Sequence, residues 1–245
     1  MPKYYFISDI HLGTDAVPNK RAHERKFVEW LEMAQKDAAE IFLVGDIFDF
    51  WFEYKNAVPK GFNRVFGKLC EITDKGIPVH FFIGNHDLWT FGYLEQETGL
   101  TVHYQPLTTT LNGKKIFIAH GDGLNDGDKT FSLLRAIFHN RFLQRCFSAI
   151  HPSTGLLLGQ KWSNSNRKKH DAKHEEFKGE NSEPLLLFAK KMCKEQDINY
   201  FIFGHRHILL NFQTSKESQV VILGDFITEF SYAVLDENGL RLKHF

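Results

Sequence analysis

A chain of 245 residues with 42% hydrophobic and 24% charged side chains can bury a sizeable core and is too ordinary in composition for a disordered or fibrous protein. Lysine plus arginine and aspartate plus glutamate each number 30, so net charge selects neither a polyanionic nor a polycationic partner. Cys70, Cys146 and Cys193 are too scattered for a disulfide framework or a thiolate metal site. Residues 1–13 lack a signal peptide's apolar stretch, and no run reaches the ~18 apolar residues of a membrane span, so a cytoplasmic protein is expected.

In chain order, the first predicted element is a strand over 4–8, closed by Asp9-Ile10-His11. A helical pattern covers 20–36. A strand over 41–44 is closed by Gly45-Asp46-Ile47-Phe48-Asp49, and a second helix over 62–75 is stopped by Gly76 and Pro78. Strands over 79–83 and 116–119 end in Gly84-Asn85-His86-Asp87 and His120-Gly121-Asp122. The rhythm then breaks. Residues 125–183 read as helices, with Phe131, Leu134, Phe138 and Phe142 at helical spacing. This stretch is also basic, with ten Lys/Arg against three Asp/Glu between residues 129 and 178. A strand over 200–203 closes in Gly204-His205-Arg206-His207, and strands over 220–223 and 232–235 follow with little helix between them.

Continuous apolar runs of this kind point to strands buried on both faces. Their alternation with helices predicts an α/β (α+β) fold forming a single domain over 1–245, with 125–183 as a helical insert. A lone histidine pair such as His205 and His207 is a weak signal. Five carboxylate, imidazole and amide clusters, each just past a strand end, are a strong one, because ligands in such sheets collect at the carboxyl ends of strands. Carboxylate, imidazole and amide oxygen suit manganese, iron or zinc, and there are enough donors for two ions. A carboxylate such as Asp46 can bridge both. Such a pair can acidify a water and clamp a phosphoryl group. Alternation along an extended segment would point Arg206 away from both histidines. Histidines such as His23, His80 and His103 are left to surface or core roles.

The ordered set Asp-x-His, Gly-Asp-x-x-Asp, Gly-Asn-His-Asp, His-Gly-Asp and Gly-His-x-His resembles the calcineurin-like metallophosphoesterase superfamily. That resemblance implies a four-layer αββα sandwich. It assigns one metal to Asp9, His11, Asp46 and His207, and the other to Asp46, Asn85, His120 and His205. It sets His86 facing the scissile phosphate, as general acid or stabiliser, with Asp87 orienting its ring. The length, the His-Gly-Asp-x-Leu start, Asp128, the helical insert and Leu223-Gly224-Asp225 are further similar to the UDP-2,3-diacylglucosamine pyrophosphatases of lipid A synthesis.

From this second resemblance follow an acylated sugar-nucleotide substrate, products UMP and 2,3-diacylglucosamine 1-phosphate (lipid X), and two divalent ions, manganese first, with iron or zinc as alternatives. It also implies a peripheral position on the cytoplasmic face of the inner membrane through the helical insert acting as a lid, and no nucleic-acid partner. The substrate contacts it implies are Asp128, Ser163, Asn166 and Lys169. The chain departs from that pattern at His86, where the best-known members have arginine, and at Asp49, where many have glutamate. A soluble phosphodiesterase or nucleotidase of the same superfamily is the alternative reading.

Overall fold

Each apolar run splits its side chains between two cores, and that splitting builds the layers. The computed structural model describes residues 1–124, 136–171 and 176–245, with backbone alone for 164–171. In β1 (Lys3–Ile7), Tyr5 and Ile7 join one core while Tyr4 and Phe6 join another, as a side-chain period of two requires. β2 (Ala38–Val44) divides in the same way, Ile41 and Leu43 against Phe42 and Val44. The first core is completed by α1 (Lys20–Ala34), through Phe27, Trp30 and Leu31, and by α2 (Asn63–Asp74), through Val65, Leu69 and Ile72. Asn19 starts α1 by accepting from the Ala22 N–H at 2.9 Å, a side-chain cap for an otherwise unpaired donor.

The first sheet has six strands in the order β11-β10-β1-β2-β3-β4, adding β3 (Val79–Phe82), β4 (Thr101–His103), β10 (Ser231–Asp236) and β11 (Gly239–His244). β1 to β4 are parallel, whereas β10 pairs antiparallel with β1 and with β11. The second sheet has five strands in the order β5-β6-β7-β9-β8, made of β5 (Leu107–Leu111), β6 (Lys114–Ala119), β7 (Tyr200–Phe203), β8 (Leu209–Gln213) and β9 (Gln219–Leu223). Its inner face contributes Ile116, Ile118, Ile202 and Val221 to the core shared with Phe6 and Phe42 of the first sheet. Its outer face, with Phe117, Phe201 and Phe203, packs on Leu185, Leu186 and Ala189 of a helix over Pro184–Met192. Helices, sheet, sheet and helix make the four-layer sandwich expected from the sequence.

Between β3 and β4 lies a short α3 (Tyr93–Thr98). Between β6 and β7 the structure shows α4 (Arg141–Ser148) and α5 (Pro152–Asp171), then α6, the Pro184–Met192 helix just described. Asp128, Phe131 and Leu134 lie outside the described residues, as do the side chains of Asn166 and Lys169. α4 buries none of its residues, and Phe142 and Leu157 are 71% and 58% exposed. Where α5 does meet the body it comes very close, since a Cβ on Gly159 would overlap the ring of Phe50.

Candidate metal centre

Five loops, all at carboxyl ends of central strands, are laced together by main-chain bonds. Asp9 N donates to Gly45 O at 3.1 Å, His11 N to Asp46 O at 3.0 Å and Gly204 N to His120 O at 2.9 Å. Within these loops Asp9 (φ 53°), His11 (48°), Asp46 (53°), His205 (67°) and His207 (51°) all hold left-handed backbone angles. Such angles are uncommon for residues with a Cβ and persist where surrounding structure over-determines them. The Gly-His-Arg-His segment is therefore not extended. Arg206 still turns away from the site, its Nε donating to the fully buried Glu183 at 2.9 Å. Gly84 is required by proximity, because a Cβ there would overlap the Asp46 carboxylate.

The side chains of these loops converge. His11 Nε2 and His207 Nε2 lie 3.3 Å apart, and His207 Nε2 is 3.3 Å from Asp9 Oδ1. His11 Nε2 is also 3.8 Å from Asp46 Oδ2, whose other near neighbour is His120 Nε2 at 3.3 Å. Donor atoms of Asp9, His11 and His207 therefore gather in one group within 4.8 Å of one another, and those of Asp46, His120 and His205 in a second. His86 belongs to a further such group with His11 and Asp46.

Divalent metal ions fit this donor set. Asp9 Oδ1, Asn85 Oδ1 and His120 Nε2 are buried without a hydrogen bond. Buried polar atoms are rarely left so, and the mix of carboxylate, imidazole and amide oxygen is a metal's coordination chemistry. Polar groups also stand behind these imidazoles. His120 Nδ1 donates to Val44 O at 2.9 Å, which leaves Nε2 as the lone-pair nitrogen. Asp49 Oδ1 stands 3.6 Å behind His11 Nδ1, and Asp225 Oδ2 stands 3.9 Å behind His207 Nδ1. Sequence reasoning did not assign either carboxylate this backing role. The available signal was their place, since Asp49 closes the β2 loop and Asp225 follows the end of β9 by two residues.

Electrostatics favours the ligand forms. Burial opposes ionisation of Asp9, but His207 and His11 outweigh it and hold the carboxyl well below its ordinary range. Asp46 is lowered likewise, by His120 and His86 against burial. His205 is pushed down to about 4 by burial and by His120, so it is neutral and ready to donate its lone pair. His120, buried but dominated by Asp46, is raised well above its ordinary value, so metal entry would displace its proton.

One expected role looks different in the structure, that of Asp87. The ring of His86 is held by Asp49 O, which accepts from Nδ1 at 2.7 Å, and by Ser163 Oγ 3.3 Å away. Asp87 does not reach that ring. Its carboxylate instead accepts from Gly84 N and Ile47 N, each at 2.7 Å, and from Phe48 N at 3.3 Å, tying the β2 and β3 loops together. Burial and the nearby Asp46 push the Asp87 carboxyl up to about 7. Ser163, on α5, is fully buried, and its hydroxyl donates to Asp49 Oδ2 at 2.9 Å. Its observed contacts thus tie α5 to Asp49 and His86. Beside His86 lies an aromatic cavity walled by Phe50, Leu88, Trp89, Phe138 and Trp162. Trp89 Nε1 donates to Phe138 O at 2.9 Å and so anchors residues ahead of α4 to the body.

A model of the calcineurin-like phosphoesterase family matches residues 2–209. The chain is 37% identical over 254 residues to a UDP-2,3-diacylglucosamine hydrolase of Porphyromonas gingivalis, covering 98% of this chain and 97% of that one. It is 28% identical over 242 residues to the protein of the same name from Haemophilus influenzae, with coverage of 98% and 97%. Among solved structures, Yfce, a phosphoesterase from E. coli, superposes with a TM-score of 0.47 at 15% identity, covering 99% of this chain and 92% of that one.

Proposed function

The chain belongs to the calcineurin-like phosphoesterase family, and on that premise we propose that it hydrolyses UDP-2,3-diacylglucosamine to UMP and 2,3-diacylglucosamine 1-phosphate. The observation that carries this reading is the likeness to the Porphyromonas gingivalis hydrolase, which extends over 98% of the chain and so includes the helices between β6 and β7. A metal core alone would name only a reaction class. Shared length across the helical segment argues for a shared substrate.

In this reading Asp9, His11, Asp46 and His207 hold one divalent ion, and Asp46, Asn85, His120 and His205 hold the second, with manganese the first choice. When bound, the ions supply Lewis acidity at a phosphoryl oxygen and lower the pKa of a water. The chain's own residues do the rest. Asp49 and Asp225 orient the ligand imidazoles. Asp49 O accepts from His86 Nδ1, so Nε2 is the ring atom left to face the phosphate, where it stabilises developing charge or delivers a proton to the departing oxygen. Water adds to one phosphorus, the P–O–P bond breaks, and each half leaves with a phosphate. Ser163 keeps His86 and Asp49 in register. Asp128, Asn166 and Lys169 are assigned contacts with the sugar and its phosphate.

The helices between β6 and β7 act as the lid over the site. Phe142, Leu143, Leu157 and Leu158 are exposed, and Arg141 and Arg145 flank them, the composition of a surface that sits on an anionic bilayer. Among the described residues no helix is long and apolar enough to cross a membrane, so the chain meets its acylated substrate peripherally, at the inner face. Incubating Mn²⁺-loaded protein with UDP-2,3-diacylglucosamine in detergent should release UMP and the acylated sugar phosphate, identified by mass spectrometry. Turnover of soluble phosphodiesters with none of the acylated substrate would overturn the reading.

A further inference from the structure

Among the described residues, a pair of cavities beside the donor set share no lining residue. The aromatic one beside Asn85 and His86 has few polar groups beyond the site itself. The other begins at His120 and lies between the ends of β3 and β6 and the connection from β4 to β5. It is an open cleft with a cavity volume of about 50 Å³, and its walls include His103, Tyr104, Gln105 and Asp122. A sugar nucleotide has two ends of unlike chemistry on either side of its anhydride. If the anhydride lies on the donor set, those ends need different spaces, and a long acyl chain gains little from a polar cleft.

Three features suit the second cleft to a flat heteroaromatic ring. Tyr104 is 45% exposed, yet its hydroxyl is tied to Thr90 O at 3.3 Å, so a ring face is presented from a fixed place. Bases stack on such faces. His103 lies parallel to Phe82, with centroids 4.6 Å apart and an interplanar angle of 18°, and its Nε2 is bonded to His80 Nδ1 at 3.0 Å. His80 in turn reaches Glu40 at 2.9 Å. That chain of side chains immobilises His103, and burial together with the nearby His80 favours its neutral form. Gln105 is exposed and offers an amide donor beside an amide acceptor, which match the carbonyl and N–H on one edge of uracil.

We propose that this cleft binds the nucleoside half of a pyrimidine nucleotide, with Tyr104 as its stacking platform and Gln105 and His103 contacting its polar edges. The inference rests on the sugar-nucleotide reading above and adds to it the residues that select the nucleoside. Titration calorimetry of UMP into the Mn²⁺-loaded protein tests it. Tyr104→Ala should weaken UMP binding about tenfold, within the range of base stacking on an aromatic ring. Tyr104→Phe, which keeps the platform and loses only its tether, should weaken it less. Binding of 2,3-diacylglucosamine 1-phosphate should be unchanged in both, and KM for the sugar nucleotide should rise while kcat stays near the parent value. Gln105→Ala should shrink the preference for UMP over CMP. Parental UMP affinity in Tyr104→Ala overturns the cleft, whatever the enzyme hydrolyses. Binding of UMP through Tyr104 without hydrolysis of UDP-2,3-diacylglucosamine would leave the cleft standing and remove the substrate reading.

Discussion

Asp9, His11 and Asp46 are almost wholly buried in left-handed backbone conformations, whereas α4 buries none of its eight residues and leaves Phe142 in solvent. The first region is fixed from every side. Main-chain bonds cross between its loops, glycine is needed where two loops touch, and a carboxylate or carbonyl stands behind the imidazoles of His11, His120 and His207. The second meets the body through the Phe147 ring, which packs on Phe50, Phe52 and Trp89, and nearby through Trp89 to Phe138 O and Ser163 to Asp49. The contrast teaches that strain and burial gather at the candidate metal centre, whereas apolar exposure gathers on the helices between β6 and β7, the surface proposed to meet the bilayer.

That contrast can be broken or sharpened by substitution. The largest effect is expected from Asp46→Ala, which removes the carboxylate proposed to serve both ions. Activity should fall by more than the roughly 10–100-fold typical of residues behind a ligand, with metal content falling alongside it, read by turnover and elemental analysis. Next comes Asp87→Ala, which strands the N–H groups of Gly84, Ile47 and Phe48. Each buried donor so orphaned costs ~1–3 kcal/mol, so thermal unfolding should shift down by roughly 10 °C, taking about 2–4 °C per kcal/mol for a chain of this size. The smallest effect on the fold belongs to the insert. Phe142→Asp with Leu157→Asp should leave stability within about 0.5 kcal/mol, while turnover of substrate presented in anionic vesicles drops several-fold. A large loss of melting temperature in that double variant would mean that α4 and α5 belong to the core after all.

The seven strands legible from apolar runs are all interior strands, buried on both faces by the two-core splitting seen in β1 and β2. The four that left no such run, β4, β5, β8 and β11, are the four sheet edges. β8 and β11 show why, since solvent reaches alternate positions and removes the continuous apolar signal. At the site, His11, Asn85, His120 and their partners could be read because each stands directly after an interior strand. The hold on His86 could not, because it comes from Asp49 O and from Ser163 on a helix 77 residues away in sequence. The pairing of Arg206 with Glu183 was hidden for the same reason, and Arg206 turns away from the site, as alternation expects, through left-handed turns at His205 and His207 rather than along an extended chain. The resemblance implies that Asp87 orients the His86 ring, yet its carboxylate serves main-chain N–H groups of Gly84 and of the neighbouring β2 loop.

The central claim is that the loop residues form one paired metal centre that performs the hydrolysis. Titrating Mn²⁺ into chelator-stripped protein while following both bound metal and turnover of UDP-2,3-diacylglucosamine tests it most directly. The account predicts two ions bound per chain, with activity appearing as they load and both sites weakened together by Asp46→Asn. Saturation at a single ion, or full turnover in the stripped protein, would contradict it.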